Sequence, residues 1–367
     1  MKKTIIITLM AAVLASVPLF AKAKNTDFIN VTDYKVKANG KIDVADAIQK
    51  VIDEHPNCTI YFPDGIYLIS KPVCTPADPK KSVSLKLDNY AVIKASPDWS
   101  SDEAMIRLGG KDSYNDININ GSNYGITGGV IDGGVEDKSD RSVTGISIDS
   151  GRETTINGVS IKNTQTGIHI KLGANYGSSD ADIRDVNISG CEGRNSVGVL
   201  IEGHDNTLTN MRIASVYTGV HVKSGGNCLR NIHPLFVDAA DYIGSAAFRI
   251  EHDKNTFIYC YNDQFNIGFE FTSTGASACV LDNCLNYWWY WGENQPHTAI
   301  HVKGRFLARV TNFTANFDKE EPINSFLIED EPGGCGTIEN ARVNERLLDN
   351  KENDGIYKHV KGKILGW

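Results

Sequence analysis

One short phrase, repeated along the middle of the chain, limits what the sequence can fold into. A small residue is followed by an apolar residue, any residue, a second apolar residue and any residue. It reads Gly145-Ile-Ser-Ile-Asp149, Gly167-Ile-His-Ile-Lys171, Gly198-Val-Leu-Ile-Glu202, Gly219-Val-His-Val-Lys223, Ala247-Phe-Arg-Ile-Glu251, Gly268-Phe-Glu-Phe-Thr272 and Ala299-Ile-His-Val-Lys303. Successive copies start 22, 31, 21, 28, 21 and 31 residues apart. The alternation within each copy is that of a strand with one buried face. Further strand-like segments follow at a similar offset: Ile156 to Ile161, Ile183 to Ile188, Leu208 to Ile213 and Leu229 to His233.

One such unit cannot bury its apolar face alone, whereas stacked units share a continuous core. No long helical period lies between the strands, which argues against α/β and leucine-rich-repeat architectures. The chain is therefore predicted to be all-β, a single-stranded right-handed parallel β-helix. Asn175, Asn206, Asn227 and Asn255 each stand eight residues after a small residue. They predict an asparagine ladder in one turn, at positions expected to take left-handed backbone. Asp43 to Asp53 reads as a short amphipathic helix with Asp43 as N-cap, suited to cover an open solenoid end. Thr59 to Ile69 reads as two strands around a Pro-Asp-Gly turn.

The start of the chain carries Lys2 and Lys3, an apolar run from Thr4 to Phe20, and Ala21-Lys22-Ala23. That is the composition of a secretory signal peptide over residues 1–23, so a periplasmic or extracellular protein without a membrane anchor is expected. Residues 24–367 read as one β-helix domain, with an N-terminal cap over about 27–75, coils over about 76–330 and a cap or tail over about 331–367. Without the leader, 34 basic residues face 45 acidic ones, a net charge of about −11. Such a balance argues against a general nucleic-acid or membrane-surface role. The eight cysteines form no CxxC pair, which leaves little for a zinc ribbon. Disulfides and buried thiols both remain open, with Cys58–Cys74 and Cys279–Cys284 nearest in sequence.

Val31 to Tyr34, Asp43 to Ile48, Tyr61 to Ser70 and Gly128 to Gly133 resemble the opening of the pectate-lyase superfamily, in its rhamnogalacturonase- and epimerase-like branch. With the repeats, the resemblance spans most of residues 27–320. It implies a three-sheet β-helix and action on polysaccharides. It supplies no catalytic residues. The polygalacturonase-type motifs are not found, Gly203-His204 being followed by Asp205, and the arginine motif of calcium-dependent pectate lyases is also missing.

The chemistry must then come from the outward positions of the phrase. Two columns are expected to be exposed. The first is Ser147, His169, Leu200, His221, Arg249, Glu270 and His301. The second is Asp149, Lys171, Glu202, Lys223, Glu251, Thr272 and Lys303. The plain reading of the second column is a ladder of alternating charge that steadies the sheet. The functional reading is a substrate groove whose catalytic set is Glu202, His221, Lys223, Arg249, Glu251 and Glu270, because clustered acids, imidazoles and cations shift one another's protonation. His169, Lys171, His204, Asp205, His252, Asp253 and His301 are expected to line it. Tyr287, Trp288 and Trp291 are expected to offer rings to sugars or to pack the core.

Hydrolysis is the first mechanism expected. Glu202 and Glu251 lie two coils apart, about 10 Å, and Glu251 and Glu270 sit on adjacent coils, nearer the ~5 Å of retaining pairs. β-Elimination is the second, with Lys223 and Arg249 neutralising a uronate and His221 as base. A non-catalytic glycan-binding or structural β-helix is the third. No cofactor is expected. Calcium is considered at Asp180, Asp182 and Asp185, and a monomer and a homotrimer both remain open.

Overall fold

The computed structural model describes residues 28–111, 124–135, 141–172, 178–191, 193–236, 243–272, 278–289, 297–303 and 308–317, then the strands 323–329, 336–339, 341–343, 360–361 and 364–366. Three stacks of parallel strands wind around one core. The repeated phrase builds a ten-stranded sheet running from Val73–Pro76 through Ile106–Lys111, Thr144–Ile148, Thr166–Ile170, Val197–Ile201, Thr218–Val222, Ala246–Ile250, Ile267–Phe271 and His297–Lys303 to Ile323–Glu329. The second and third stacks are joined into a 24-stranded sheet. A typical coil runs from Thr166–Ile170 to Asp182–Arg184 in the second stack, then to Asn187–Ser189 in the third. The fold is the expected parallel β-helix.

The phrase's two apolar positions form two inward columns. Ile146, Ile168, Val199, Val220, Phe248, Phe269 and Ile300 make one, and Ile148, Ile170, Ile201, Val222, Ile250, Phe271 and Val302 the other; all are buried. The small residue has a steric cause. A Cβ on Gly198 would stand 2.5 Å from the carbonyl oxygen of Gly219 on the next coil, and one on Gly219 would stand 2.5 Å from that of Ala247.

Each second strand-like segment turns a corner at one left-handed residue. Asp185, Asn210, Asn231, Tyr259, Asn283 and Asn312 occupy this corner at φ between 50° and 55°. Short polar side chains tolerate that conformation best, and Tyr259 departs from the rule.

The asparagine ladder forms through Asn206, Asn227 and Asn255, while Asn175 lies outside the described residues. Asn227 Oδ1 accepts from the backbone N–H of Asn206 at 3.1 Å and from its Nδ2 at 3.0 Å. Asn255 Oδ1 accepts in the same way from Asn227, at 3.0 and 3.1 Å. The expected left-handed backbone falls one residue earlier, at Asp205, Gly226 and Lys254. These residues make the bend, and the asparagine after it turns its amide inward to satisfy buried backbone. Asn227→Ala would strand donors and acceptors on two neighbouring coils. It is expected to lower unfolding free energy by about 3 kcal/mol in urea titration, and a loss below about 1 kcal/mol would show that the ladder is dispensable.

The N-terminal helix spans Ala45–Glu54, with Ile48, Val51 and Ile52 buried. Asp43 is not its N-cap. It ends the strand Asn39–Asp43 and accepts from the N–H of Ala45 and from Ser70. Gln49 pairs with the backbone of Cys74, donating to its carbonyl at 3.0 Å and accepting from its N–H at 2.8 Å. Cys74 sits in the terminal strand of the ten-stranded sheet, so the helix satisfies an otherwise open edge. At the other end, strands Gly336–Glu339 and Ala341–Val343 continue the second and third stacks, and Val360–Lys361 and Ile364–Gly366 continue them again. Coils thus extend beyond residue 330. The phrase fades there because it belongs to the ten-stranded sheet, whose last strand among the described residues is Ile323–Glu329.

The cysteines Cys58, Cys74, Cys191, Cys228, Cys260, Cys279 and Cys284 are all free thiols. Cys260, Cys279 and Cys284 are buried and donate to backbone carbonyls, as core residues do. Among the described residues no helix is long and apolar enough to cross a membrane.

Candidate active site

Strand register places Ser147, His169, Leu200, His221, Arg249, Glu270 and His301 side by side on successive strands, with Arg107 before them and Leu327 after. The second column stands one residue past the strand ends, except for Lys303, which ends its own strand. There the N–H groups of Lys171, Glu202, Lys223, Glu251 and Thr272 still donate to the preceding coil.

The first column is not the exposed row that alternation implies. Ser147, Glu270 and His301 are buried, and His169, His221 and Arg249 are half-buried. The cause is diagonal pairing, in which a second-column side chain reaches back to the first column one coil earlier. Asp149 meets Arg107 Nε at 2.7 Å, Glu202 meets His169 Nε2 at 2.8 Å, Glu251 meets His221 Nε2 at 2.6 Å and Lys303 meets Glu270 at 3.1 Å. Alternating charge along the second column also forms bridges, Lys223 to Glu202 at 3.3 Å and Lys171 to Asp149 at 3.4 Å.

Three centres result. At the N-terminal end Lys171, Arg107, Asp149 and Glu103 form an ionic network; Lys171 Nζ lies 2.7 Å from Glu103 Oε2. Glu103 has no place in the repeat, so periodicity gave no signal for it. In the middle, Glu202 accepts from His169 and Lys223. Burial pushes its carboxyl up, but these two donors outweigh it and hold the group below the ordinary range. At the third centre Arg249 Nε donates to Glu270 Oε2, and its other nitrogens reach Thr218 Oγ1 at 3.4 Å and the Gly244 carbonyl at 3.2 Å. His301 Nδ1 lies 3.5 Å from Glu270 Oε1. Burial again opposes ionisation, yet His301, Arg249 and Lys303 together bring Glu270 down to about 2.

His221 lies between the second and third centres. Its side chain is 16% exposed, and that desolvation holds its pKa below the usual 6.5 despite the opposing pull of Glu251. Lys223 and Arg249 add to the downward shift. The imidazole is therefore neutral near neutral pH, with one nitrogen fixed by a carboxylate. When Nε2 carries the proton toward Glu251, Nδ1 keeps a lone pair.

His204, Asp205, His252 and Asp253 stand in the ladder turn beyond this face. His252 Nδ1 is 3.0 Å from Asp253 Oδ1, His204 forms a bridge to Ser179, and Asp205 makes the left-handed bend. Trp288, expected among the sugar-facing rings, is fully buried and donates from Nε1 to the Phe265 carbonyl at 2.7 Å. It alternates with Tyr287 in Leu285–Trp288, so only one of the two can face outward. Tyr287 is half-buried on the third stack, away from His221, and Trp291 lies outside the described residues. The acids considered for calcium have separate partners: Asp180 pairs with Arg152, Asp182 with Arg184, and Asp185 accepts from Asn210. Among the described residues no three His, Cys, Asp or Glu side chains gather where a metal ion could be held.

Residues 28–234 match the profile of the family described as rhamnogalacturonase A/epimerase, pectate lyase-like. A search of curated proteins found no match. Among solved structures, a tailspike protein of E. coli bacteriophage HK620 is similar at TM-score 0.67 and 10% identity, over 93% of this chain and 63% of that one. The tailspike gp49 of Acinetobacter baumannii bacteriophage Fri1, a capsular polysaccharide depolymerase, is similar at TM-score 0.63 and 12% identity, over 93% and 63%. The A-module of the mannuronan C-5 epimerase AlgE6 of Azotobacter vinelandii is similar at TM-score 0.51 and 14% identity, over 92% and 93%. This chain thus spans less than two thirds of either tailspike. At these identities the likeness is one of fold.

Proposed function

This chain belongs to the rhamnogalacturonase A/epimerase, pectate-lyase-like family, and we propose that it acts on a polysaccharide containing uronic acid, with His221 removing the proton at C5. The observation that carries the reading is the half-buried His221 held by Glu251 and flanked by Lys223 and Arg249, a setting that lowers its pKa by burial. Elimination needs a base that is unprotonated at working pH and cations near the substrate carboxylate, whose charge must be offset for C5 to acidify. His221 supplies the first; Lys223, bridged to Glu202, and Arg249, bridged to Glu270, flank it as the cations that a substrate carboxylate would share with those glutamates. The C5 proton passes to the imidazole, the electron pair forms the C4–C5 double bond, the C4–O bond breaks, and the departing oxygen takes up a proton.

Hydrolysis, the first expectation from sequence, has less support. It needs a carboxylic acid that still holds its proton. Glu202 and Glu270 are both held toward the ionised form, and His221 already engages Glu251. One neighbour in fold is a mannuronan C-5 epimerase, and inversion at C5 breaks the same C–H bond, which supports the class of chemistry by analogy. The setting proposed is an exported one, with residues 1–23 as leader and a single β-helix domain behind them.

The test is to incubate the protein with polygalacturonate, alginate and a neutral glucan, following reducing ends and ultraviolet absorbance of unsaturated uronate together. Absorbance rising with reducing ends on a uronan is the expected result. Reducing ends without absorbance would return the site to a hydrolase. Silence on every polymer would favour a binding or structural β-helix.

A further inference from the structure

The third stack changes character along its length. Along its middle coils the outward positions are polar or small, with Ser160, Lys162, Asn187, Ser189, Arg212 and Ala214. On the next three coils the paired outward positions hold His233 and Leu235, then Tyr261 and Asp263, then Leu285 and Tyr287. Trp289 follows just past the strand end, and Tyr259 occupies the corner before Tyr261.

His233, Tyr261, Asp263 and Trp289 are built into one arrangement. The His233 and Tyr261 rings stack at 4.2 Å and 18°. Asp263 lies beneath them, largely buried. Its Oδ1 accepts from Trp289 Nε1 at 2.8 Å, and its Oδ2 lies 3.4 Å from both Tyr261 OH and His233 Nε2. The Trp289 backbone N–H donates to Gln264 Oε1 at 2.9 Å. The indole is thus held at its nitrogen and its backbone, yet Trp289 remains 47% exposed; Tyr259 is 65% exposed. Core packing does not account for an indole anchored by a buried carboxylate and left half exposed.

We propose that this strip is a second glycan-binding site, distinct from the His221 face, which takes pyranose rings against Trp289 and the tyrosines. Aromatic faces suit the apolar C–H face of a sugar, while their polar edges and Asp263 suit its hydroxyls. Three coils span about 10 Å between the first and third, so the strip accommodates two or more consecutive sugar units. Its role is to hold a polymer chain on the solenoid, independently of any bond cleavage. The site is defined by binding alone and does not rest on the proton-abstraction reading.

Affinity electrophoresis tests it, in gels cast with polygalacturonate, alginate or the neutral glucan. Wild-type protein is expected to be retarded by at least one polymer. Trp289→Ala is expected to weaken that retardation about tenfold in apparent Kd, equivalent to about 1.4 kcal/mol, and Trp289→Phe, which keeps a ring, to weaken it less. Circular dichroism melts establish that each variant is folded before its gel is read. Binding by a folded Trp289→Ala protein equal to wild type would overturn the proposal, and so would wild type running freely in all three gels. Loss of polymer cleavage with retardation intact would defeat the catalytic reading and leave this one standing.

Discussion

His221→Gln is expected to lower kcat/KM on a cleaved uronan by about 10²- to 10⁴-fold, the range for loss of a general base, while leaving the fold in place. Glutamine carries an amide that can still donate toward Glu251, so the diagonal contact at 2.6 Å has a substitute. What it lacks is a lone-pair nitrogen of suitable basicity. The wild-type pH profile should carry the same signature. Burial favours neutral imidazole and places the pKa of His221 below 6.5. As pH falls through that value the base takes up a proton and the rate falls, so the acidic limb of kcat/KM should lie below pH 6.5 and disappear in the variant's residual activity. Steady-state kinetics on the uronan identified by the absorbance assay provide the check. A folded His221→Gln enzyme retaining more than about a tenth of wild-type activity would move the base elsewhere, with Glu251 the next residue to test.

The sequence made the solenoid legible because its core repeats with the coil. Gly145, Gly167, Gly198 and Gly219 mark close approach to the following coil, and the apolar residues after them mark two inward columns. The same logic gave the correct register of His221 beside Arg249 and of Arg249 beside Glu270. It missed a further copy of the phrase, Ser325 to Glu329, which forms the last strand of the ten-stranded sheet. It also missed depth. Alternation gives the side of a strand on which a residue lies, not whether a neighbour folds over it. Lys303 reaching Glu270, and the indole of Trp288 turning inward to the Phe265 carbonyl, depend on side-chain packing that no period encodes. The cluster at Asp263 was hidden for another reason: its members come from segments in which strand pairing, rather than a repeated phrase, brings them together.

Depth is what makes Glu270 the most consequential carboxylate for stability. Its side chain is 3% exposed and is met by Arg249, His301 and Lys303. Glu270→Ala removes the negative charge and leaves a half-buried guanidinium without its partner, an imbalance expected to cost about 3–5 kcal/mol. The pH dependence follows from its titration. The ordinary value is 4.5 and the folded value about 2, so the unfolded chain takes up this proton first as acid is added. The stability it contributes is complete above 4.5 and is lost as pH falls from there toward 2. Equilibrium unfolding at pH 7 and pH 3 should therefore show the gap between wild type and Glu270→Ala narrowing in acid. A double variant, Glu270→Leu with Arg249→Met, should recover part of the loss at pH 7, because an apolar pair avoids burying an unmatched charge. If Glu270→Ala unfolds like wild type at pH 7, the carboxylate does not steady this end of the face. If the double variant is no better than the single, neither the cavity nor the stranded guanidinium accounts for the loss, and the contacts of Glu270 with Lys303 and His301 carry it instead.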